Sequence, residues 1–277
     1  MELYNKTSLG CSKLFTQSYS TSFSKAVSLL NPSIQHATYG IYGFMRIADE
    51  IVDTFHQYPK AKMIADLRTE VFKAISSGVS VNPIVNSFQI VVNNYEIPHE
   101  LINSFLDSME MDLSKKVFSK QEYSKYIYGS AEAVGLMCLK VFTNGDDEKY
   151  NRLKKPAQSL GEAFQKINFL RDIKDDYVER GRVYFPEIDF SSFTDEQKLK
   201  IEKDITRDLQ LAHNGILELP RSSQLGVYVA YLYFKGLLNR IKRVKASQIL
   251  NKRIRVPNHI KFLLMLKARL AFWLRII

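Results

Sequence analysis

The chain is expected to fold as an all-α protein, and three features of its sequence lead there. It holds only 12 glycines and 8 prolines in 277 residues, too few tight turns for a many-stranded barrel or sandwich. Helix-initiating pairs recur between long segments in which apolar residues return with a helical period. Hydrophobic residues make up 45% and charged residues 25%, an ordinary globular balance that excludes wholesale disorder. With no internal repeat, low-complexity linker or composition break, residues 1–277 read as one domain of roughly ten helices.

Each helix has a local cause. Asn31-Pro32 sets a capping residue before a proline at the first helical position, and the pattern runs on to about Phe55. Asn82-Pro83 repeats the device as far as about Asn94. Ser119 with Glu122 has capping-box spacing and predicts a helix to about Phe142, and Thr194 with Gln197 predicts another to about Glu218. Pro156 is expected to begin a helix carrying Phe164, Ile167, Leu170 and Ile173. Asn144-Gly145 and Glu179-Arg180-Gly181 read as stops, and segments 60–76, 98–113, 223–245 and 258–277 also fit helices.

Charge and cysteine usage narrow the chemistry. Lys and Arg number 39 against 29 Asp and Glu, a net charge of +10 that suits nucleic acid, an anionic membrane or small anionic substrates. No zinc, RNP or helix-turn-helix signature supports nucleic acid. Cys11 and Cys138 form no CxxC pair, which excludes a cysteine zinc site and a disulfide framework. The amino-terminal MELYNKTSLGCSKLF lacks the apolar core of a secretory signal, and no run of about 18 apolar residues occurs, so a cytoplasmic protein is expected.

Two segments place acids in stripes. In YGFMRIADEIVD, Tyr42, Arg46, Asp49 (or Glu50) and Asp53 share one helix face, while Phe44, Ile47, Ile51 and Val52 take other angles. In QKINFLRDIKDD, Gln165, Asn168, Asp172 and Asp176 do the same. Carboxylates four residues apart repel, so apolar-flanked pairs need compensation. All-oxygen sites suit Mg²⁺, which keeps waters and bridges to phosphates, with Arg46, Arg171, Arg180 and Arg182 near enough in sequence to neutralise remaining charge. Spacing alone does not decide, since a solvated helix face reads the same way. Asp204 and Asp208 share the spacing but alternate with Lys203 and Arg207, and these are expected to face solvent.

The motifs YGFMRIADEIVD and FQKINFLRDIKDDYVERGRVYFP resemble the two aspartate-rich signatures of the squalene/phytoene synthase family, and the RGRVYFP tail is most similar to bacterial phytoene synthases. STSFS at 20–24, YIYGSAEAVGLM at 126–137 and VYVAYLYFKGLLNRIKR follow in family order. The resemblance implies an isoprenoid-synthase helical fold with a central active-site cavity, and head-to-head joining of two geranylgeranyl diphosphates to phytoene through a cyclopropylcarbinyl diphosphate. The squalene and dehydrosqualene branch, acting on farnesyl diphosphate, shares every motif, and a non-catalytic assembly factor of the same fold is a third reading.

Carried over residue by residue, the resemblance implies Asp49, Asp53, Asn168, Asp172 and Asp176 as ligands of Mg²⁺ (or Mn²⁺), with Glu50 and Asp175 nearby. Tyr42 and Arg46 join the acids as catalytic residues, and Phe23, Tyr126, Gln165, Arg171, Arg182 and Tyr184 are expected at the substrates. No NADPH is expected. Family members often carry a tyrosine at the position of Phe234, which Tyr231 and Tyr233 adjoin, and some carry a histidine and a lysine at those of Tyr19 and Thr21. The basic, apolar segment 259–277 fits either a peripheral membrane contact or a helix docked on the core.

Overall fold

A computed structural model describes the chain apart from Arg180, Glu187, Asp189–Ser191 and Lys252, and apart from the side chains of Val178 and Glu179. The regular elements among the described residues are all helices, with one isolated bridge, Val117 to Val183. The helices are α1 Glu2–Tyr19, α2 Thr21–Val27, α3 Pro32–Asp53, α4 Lys60–Ser77, α5 Pro83–Asn94, α6 His99–Ser114 and α7 Lys120–Ile127. After them come α8 Ala133–Thr143, α9 Asp147–Ile173, α10 Asp195–Glu218, α11 Arg221–Lys242, α12 Ala246–Ile249 and α13 Asn258–Trp273. The all-α reading holds.

The local start signals act as anticipated. The Asn31 side chain accepts from Ser33 N, that of Asn82 from Ile84 N, and both capping boxes close in both directions. Asn144 and Gly145 take positive φ and end α8. Arg180, in the second stop, lies outside the described residues, while Gly181 beside it has φ +66°.

Three expectations need correction. Pro156 does not begin a helix: α9 starts at Asp147, capped by Asp146, and carries the proline inside it. The cost of the missing hydrogen bond is offset by packing, because the ring presses where Gly215 of α10 has no side chain; a Cβ there would sit 2.2 Å from Pro156 Cβ. The helix expected from Ser119 to Phe142 is interrupted by a π-helical turn, Tyr128–Glu132, where Gly129 lets the backbone pass against Ser104 O of α6. Asp208 does not face solvent, and Asp204 does so only in part. They and Glu162 surround the ammonium of Lys166, which is 4% exposed, with Asp208 at 2.8 Å and Glu162 at 2.7 Å. The long α9–α10 contact turns Asp204 and Asp208 of α10 onto the lysine of α9, and the ammonium, with Arg207 on Asp204, offsets part of the negative charge of that cluster.

Apolar side chains gather in two bodies. One joins α3–α6 with α8 through Phe44, Phe88, Phe105 and Met137; the other joins the end of α9 with α10 and α11 through Ile167, Leu170, Ile205 and Val229. Between them lies a chamber of about 960 Å³, walled by Val27, Ile41 and Leu139 of the first body and Ile216, Tyr233 and Leu237 of the second.

Candidate active site

The first acidic wall is the last two turns of α3. Arg46 donates from Nη1 to Asp49 (3.2 Å) and from Nη2 to Glu50 (2.5 Å), and its guanidinium lies 4.5 Å over the Tyr19 ring. Asp49 lines the chamber, with 44% of its side-chain surface accessible. Enclosure pushes its carboxyl up to about 7, against the pull of Arg46 and with the help of Asp53 and Asp112. Burial raises Glu50 too, but hydrogen bonds with Thr54 and Arg46 outweigh it and hold that group low. The α3 reading of one polar stripe is realised, with Arg46 as its compensating charge.

The second wall does not keep one helical face. The chain leaves α9 at Ile173 and continues as a π-helix over Lys174–Glu179, so Asp172 and Asp176 stand on different local geometries. Asp172 is clamped by Arg171, whose Nε and Nη2 both donate to it, and by Arg253 Nε at 2.9 Å; Arg253 Nη1 also lies 3.9 Å from Asp175. Asp176 is buried.

Arg182 ties the two walls together. Its backbone N–H donates to Asp176 O (2.8 Å), its Nη1 to Asp53 Oδ1 (3.3 Å) and Tyr184 Oη (3.4 Å), and its Nη2 to Asp112 O (3.1 Å). Burial works against its charge, but Tyr184, Asp112 and Asp53 hold the guanidinium protonated beyond its usual range. The tail around it is fixed by Val183 N–H donating to Lys116 O at 2.7 Å.

Sequence reading missed Asp112. This α6 carboxylate, 9% exposed, accepts from Tyr126 Oη (2.7 Å) and Tyr184 Oη (3.2 Å) and is pushed by burial up to about 6. Tyr126 and Tyr184 therefore stand behind the acidic wall, in a ring cluster with Phe118 and Phe169, rather than on the chamber surface. Phe23, Tyr42, Arg46, Asp49, Gln165, Asn168 and Arg171 do line the chamber. Phe23 and Tyr42 stack with centroids 4.5 Å apart, and burial raises the Tyr42 hydroxyl above its ordinary range although a hydrogen bond with Ser20 opposes this. At the position where a tyrosine was expected, Phe234 stacks on Phe164 at 3.8 Å; Tyr233 beside it also lines the chamber, and Tyr231 does not.

A basic rim was also missed. Arg253, Arg255 and Lys261 line the chamber with Arg171. Burial, then the cations Lys25, Arg171 and Arg255, holds the Lys261 ammonium below its usual range, as expected where positive charge gathers without enough acid. The signal was present in NKRIRV, but basic residues in that stretch equally suit a solvated surface.

Among the described residues, three buried side-chain polar atoms have no hydrogen-bond partner: Arg46 Nε, Ser130 Oγ and Asn168 Oδ1. All three residues line this chamber. Unpaired buried groups cost about 1–3 kcal/mol each and persist where a ligand completes them. Asn168, one helical turn before Asp172, offers an acceptor of the kind a hard cation takes.

The raised carboxyls give a pH dependence. In protein freed of divalent ions, folding retains protons on Asp49 and Asp112 that the unfolded chain loses near its ordinary carboxyl value of 3.8. Their stabilising contribution is complete below about pH 4 and disappears as pH rises through about 6 and 7. Melting in EDTA should follow that slope, Asp49→Asn should flatten it, and Mg²⁺ should restore stability at neutral pH by binding deprotonated Asp49. An identical slope in the variant would exclude Asp49 as its source.

The squalene/phytoene synthase family model matches residues 16–259. A 4,4'-diapophytoene synthase of Staphylococcus haemolyticus is 29% identical over 72% of this chain and 67% of its own length. Phytoene synthase 1, chloroplastic, of Solanum lycopersicum is 25% identical over 81% of this chain, which spans only 58% of that longer relative. Among solved structures, a dehydrosqualene synthase in complex with ligand superposes with a TM-score of 0.83 at 20% identity, covering 97% of this chain and 98% of the other.

Proposed function

The chain belongs to the squalene/phytoene synthase family, and from that membership we propose that it joins two geranylgeranyl diphosphates head to head to give phytoene. The observation that carries the reading is the meeting of Asp49, a basic rim and, among the described residues, all three unpartnered buried polar atoms at one largely apolar chamber, with Asp172 held beside it by the lining residues Arg171 and Arg253. At about 960 Å³ the chamber lies near the top of the range for small-molecule sites, roughly 300–1,000 Å³, which suits two long apolar tails.

Asp49, Asp53, Asn168, Asp172 and Asp176 would hold Mg²⁺ or Mn²⁺, and the free carbonyl of Asn168 fits that role. The ion, when bound, acts as a Lewis acid toward a departing diphosphate. In the first stage the C–O bond of one substrate breaks, and its allylic carbon is attacked by the double bond of the other. Loss of a proton closes a cyclopropylcarbinyl diphosphate. In the second stage that intermediate loses its own diphosphate, rearranges and loses a second proton. Neither stage changes the oxidation level, so no NADPH is expected.

The chain's own groups have separate tasks. Arg46, Arg171 and the rim cations donate charge-assisted hydrogen bonds to the diphosphates. The stacked faces of Phe23 and Tyr42 attract the carbocation by about 0.5–2 kcal/mol each. Val27, Ile41 and Leu139 keep out water that would capture the cation as an alcohol. The test is incubation of purified protein with C20 diphosphate and Mg²⁺ without reductant, expecting a C40 hydrocarbon that EDTA abolishes. A C30 hydrocarbon from C15 diphosphate alone would favour the second reading, which the name of the Staphylococcus relative supports. No product from either would leave the non-catalytic reading.

We also propose that α13 seats a cytoplasmic enzyme on an anionic bilayer. Phe262, Leu263, Leu266, Leu270 and Trp273 recur along this helix and are exposed, Trp273 by 77%, with Lys267, Arg269 and Arg275 beside them. Ala268 faces the core, and Lys261 at the helix start lines the chamber from which an apolar product would leave. No helix among the described residues is long and apolar enough to cross a membrane. Sedimentation with phosphatidylglycerol vesicles should exceed that with phosphatidylcholine, and Leu270→Glu with Trp273→Glu should weaken it about tenfold or more without changing the melting temperature. Absence of vesicle binding, or a concentration-dependent dimer lost in the same variant, would overturn the assignment.

A further inference from the structure

A second cavity, of about 710 Å³, opens beside the chamber where α11 ends and the chain passes through α12 to residue 255. Its wall carries four guanidinium groups, Arg240, Arg243, Arg253 and Arg255, with the amides of Gln248 and Asn251. Among the described residues no carboxylate lines it, and Arg240, Arg243 and Arg255 make no ion pair. Cations at the end of α11 complement its dipole, which accounts for Arg240 and Arg243 singly. It does not account for four converging in one concavity where only Arg253 has a counter-charge, at its far side, and the others repel one another.

The groove and the chamber share a partition. Arg253, Ile254 and Arg255 line both, and Arg253 reaches through to Asp172 and Asp175 at the second acidic wall. An anion detached at that wall therefore meets guanidinium groups continuously from the chamber to the outer surface. Planar, forked donors of this kind suit phosphoryl oxygens taken two at a time.

We propose that this groove binds the diphosphate anion on its way out, Arg253 and Arg255 receiving it from the chamber and Arg240 and Arg243 holding it outside. The assignment rests on the proposed reaction, which releases two such anions for each hydrocarbon formed. It gives the leaving group an exit separate from the apolar path of the product, and it makes inorganic diphosphate an inhibitor acting partly from outside the chamber.

Inorganic diphosphate titrated calorimetrically into the full chain in EDTA tests this, because without a divalent ion the acidic walls repel the anion. Binding is expected in the wild type and should weaken by about tenfold for each guanidinium removed in Arg240→Ala and Arg243→Ala, the scale of one hydrogen bond to a charged group. With Mg²⁺ and prenyl diphosphate, the double variant should keep its first-turnover rate and need several-fold more added diphosphate for half-inhibition. Equal affinities in wild type and double variant would remove the groove site, whatever the activity. Tighter binding of ADP than of inorganic diphosphate, lost in the same variants, would overturn the by-product and assign the groove to nucleotides. Diphosphate held by the groove of a protein inactive toward both prenyl diphosphates would instead overturn the proposed reaction and leave the anion site standing.

Discussion

Asp49→Asn and Asp172→Asn should each lower turnover by about 10³-fold or more, equivalent to roughly 4 kcal/mol of transition-state stabilisation. The shapes barely change, so the loss reads the charge that each wall offers a divalent ion. The two variants should differ in stability, which separates chemistry from folding. Asp49 is enclosed and repelled by Asp53 and Asp112, so neutralising it in metal-free protein at pH 7 should leave the melting temperature equal or higher. Asp172 is held by Arg171 and Arg253, and its loss frees two cations, giving a modest decrease. Mg²⁺ affinity measured calorimetrically should fall in both. Wild-type rates in either purified variant would remove that residue from the ligand set.

How much of this was legible depends on the range of the interaction that decides each residue. Caps were legible because Asn31, Asn82, Ser119 and Thr194 bond within three residues of themselves. The α3 stripe was legible for the same reason: Arg46 meets Asp49 and Glu50 on its own helix. Helix α1 went unread because the face it buries is polar. Ser8, Ser12 and Thr16 recur every four residues, and Ser12 bonds Ser87 of α5 across the gap left by Gly43. Apolar periodicity is silent there.

The second acidic stripe was half legible. Its residues were correct in order, but an ideal helical period carries no sign of the π-helix that separates Asp172 from Asp176. Asp204 and Asp208 mislead in the opposite sense. Their alternation with Lys203 and Arg207 is the pattern of a wet surface, and only the packing of α10 on α9 shows that Lys166 meets them. Asp112 sits in DSMEMDLS with two other acids, and nothing local distinguishes it from these, Asp107 and Glu110, which pair with Arg68. What singles it out comes from 72 residues away, where Tyr184 arrives on the RGRVYFP tail.

That long-range origin makes Asp112→Ala the sharpest structural test of the site. The substitution leaves the hydroxyls of Tyr126 and Tyr184 without their acceptor, and removes from Arg182 one of the charges that keep it buried and protonated. Breaking a buried charged network from one side costs about 3–5 kcal/mol, so the denaturation midpoint should drop markedly. Activity should fall further than stability alone accounts for, because Arg182 and Tyr184 would no longer hold the tail that links Asp53 to Asp176. Asp112→Asn separates the two effects. An amide oxygen still accepts one of the two tyrosines while the charge is gone, so stability should recover in part and the Mg²⁺ requirement should shift to higher concentration. If Asp112→Asn instead matched the wild type in turnover and Mg²⁺ dependence, the acid would serve only to anchor tyrosines. The acidic wall would then consist of Asp49 and Asp53 alone.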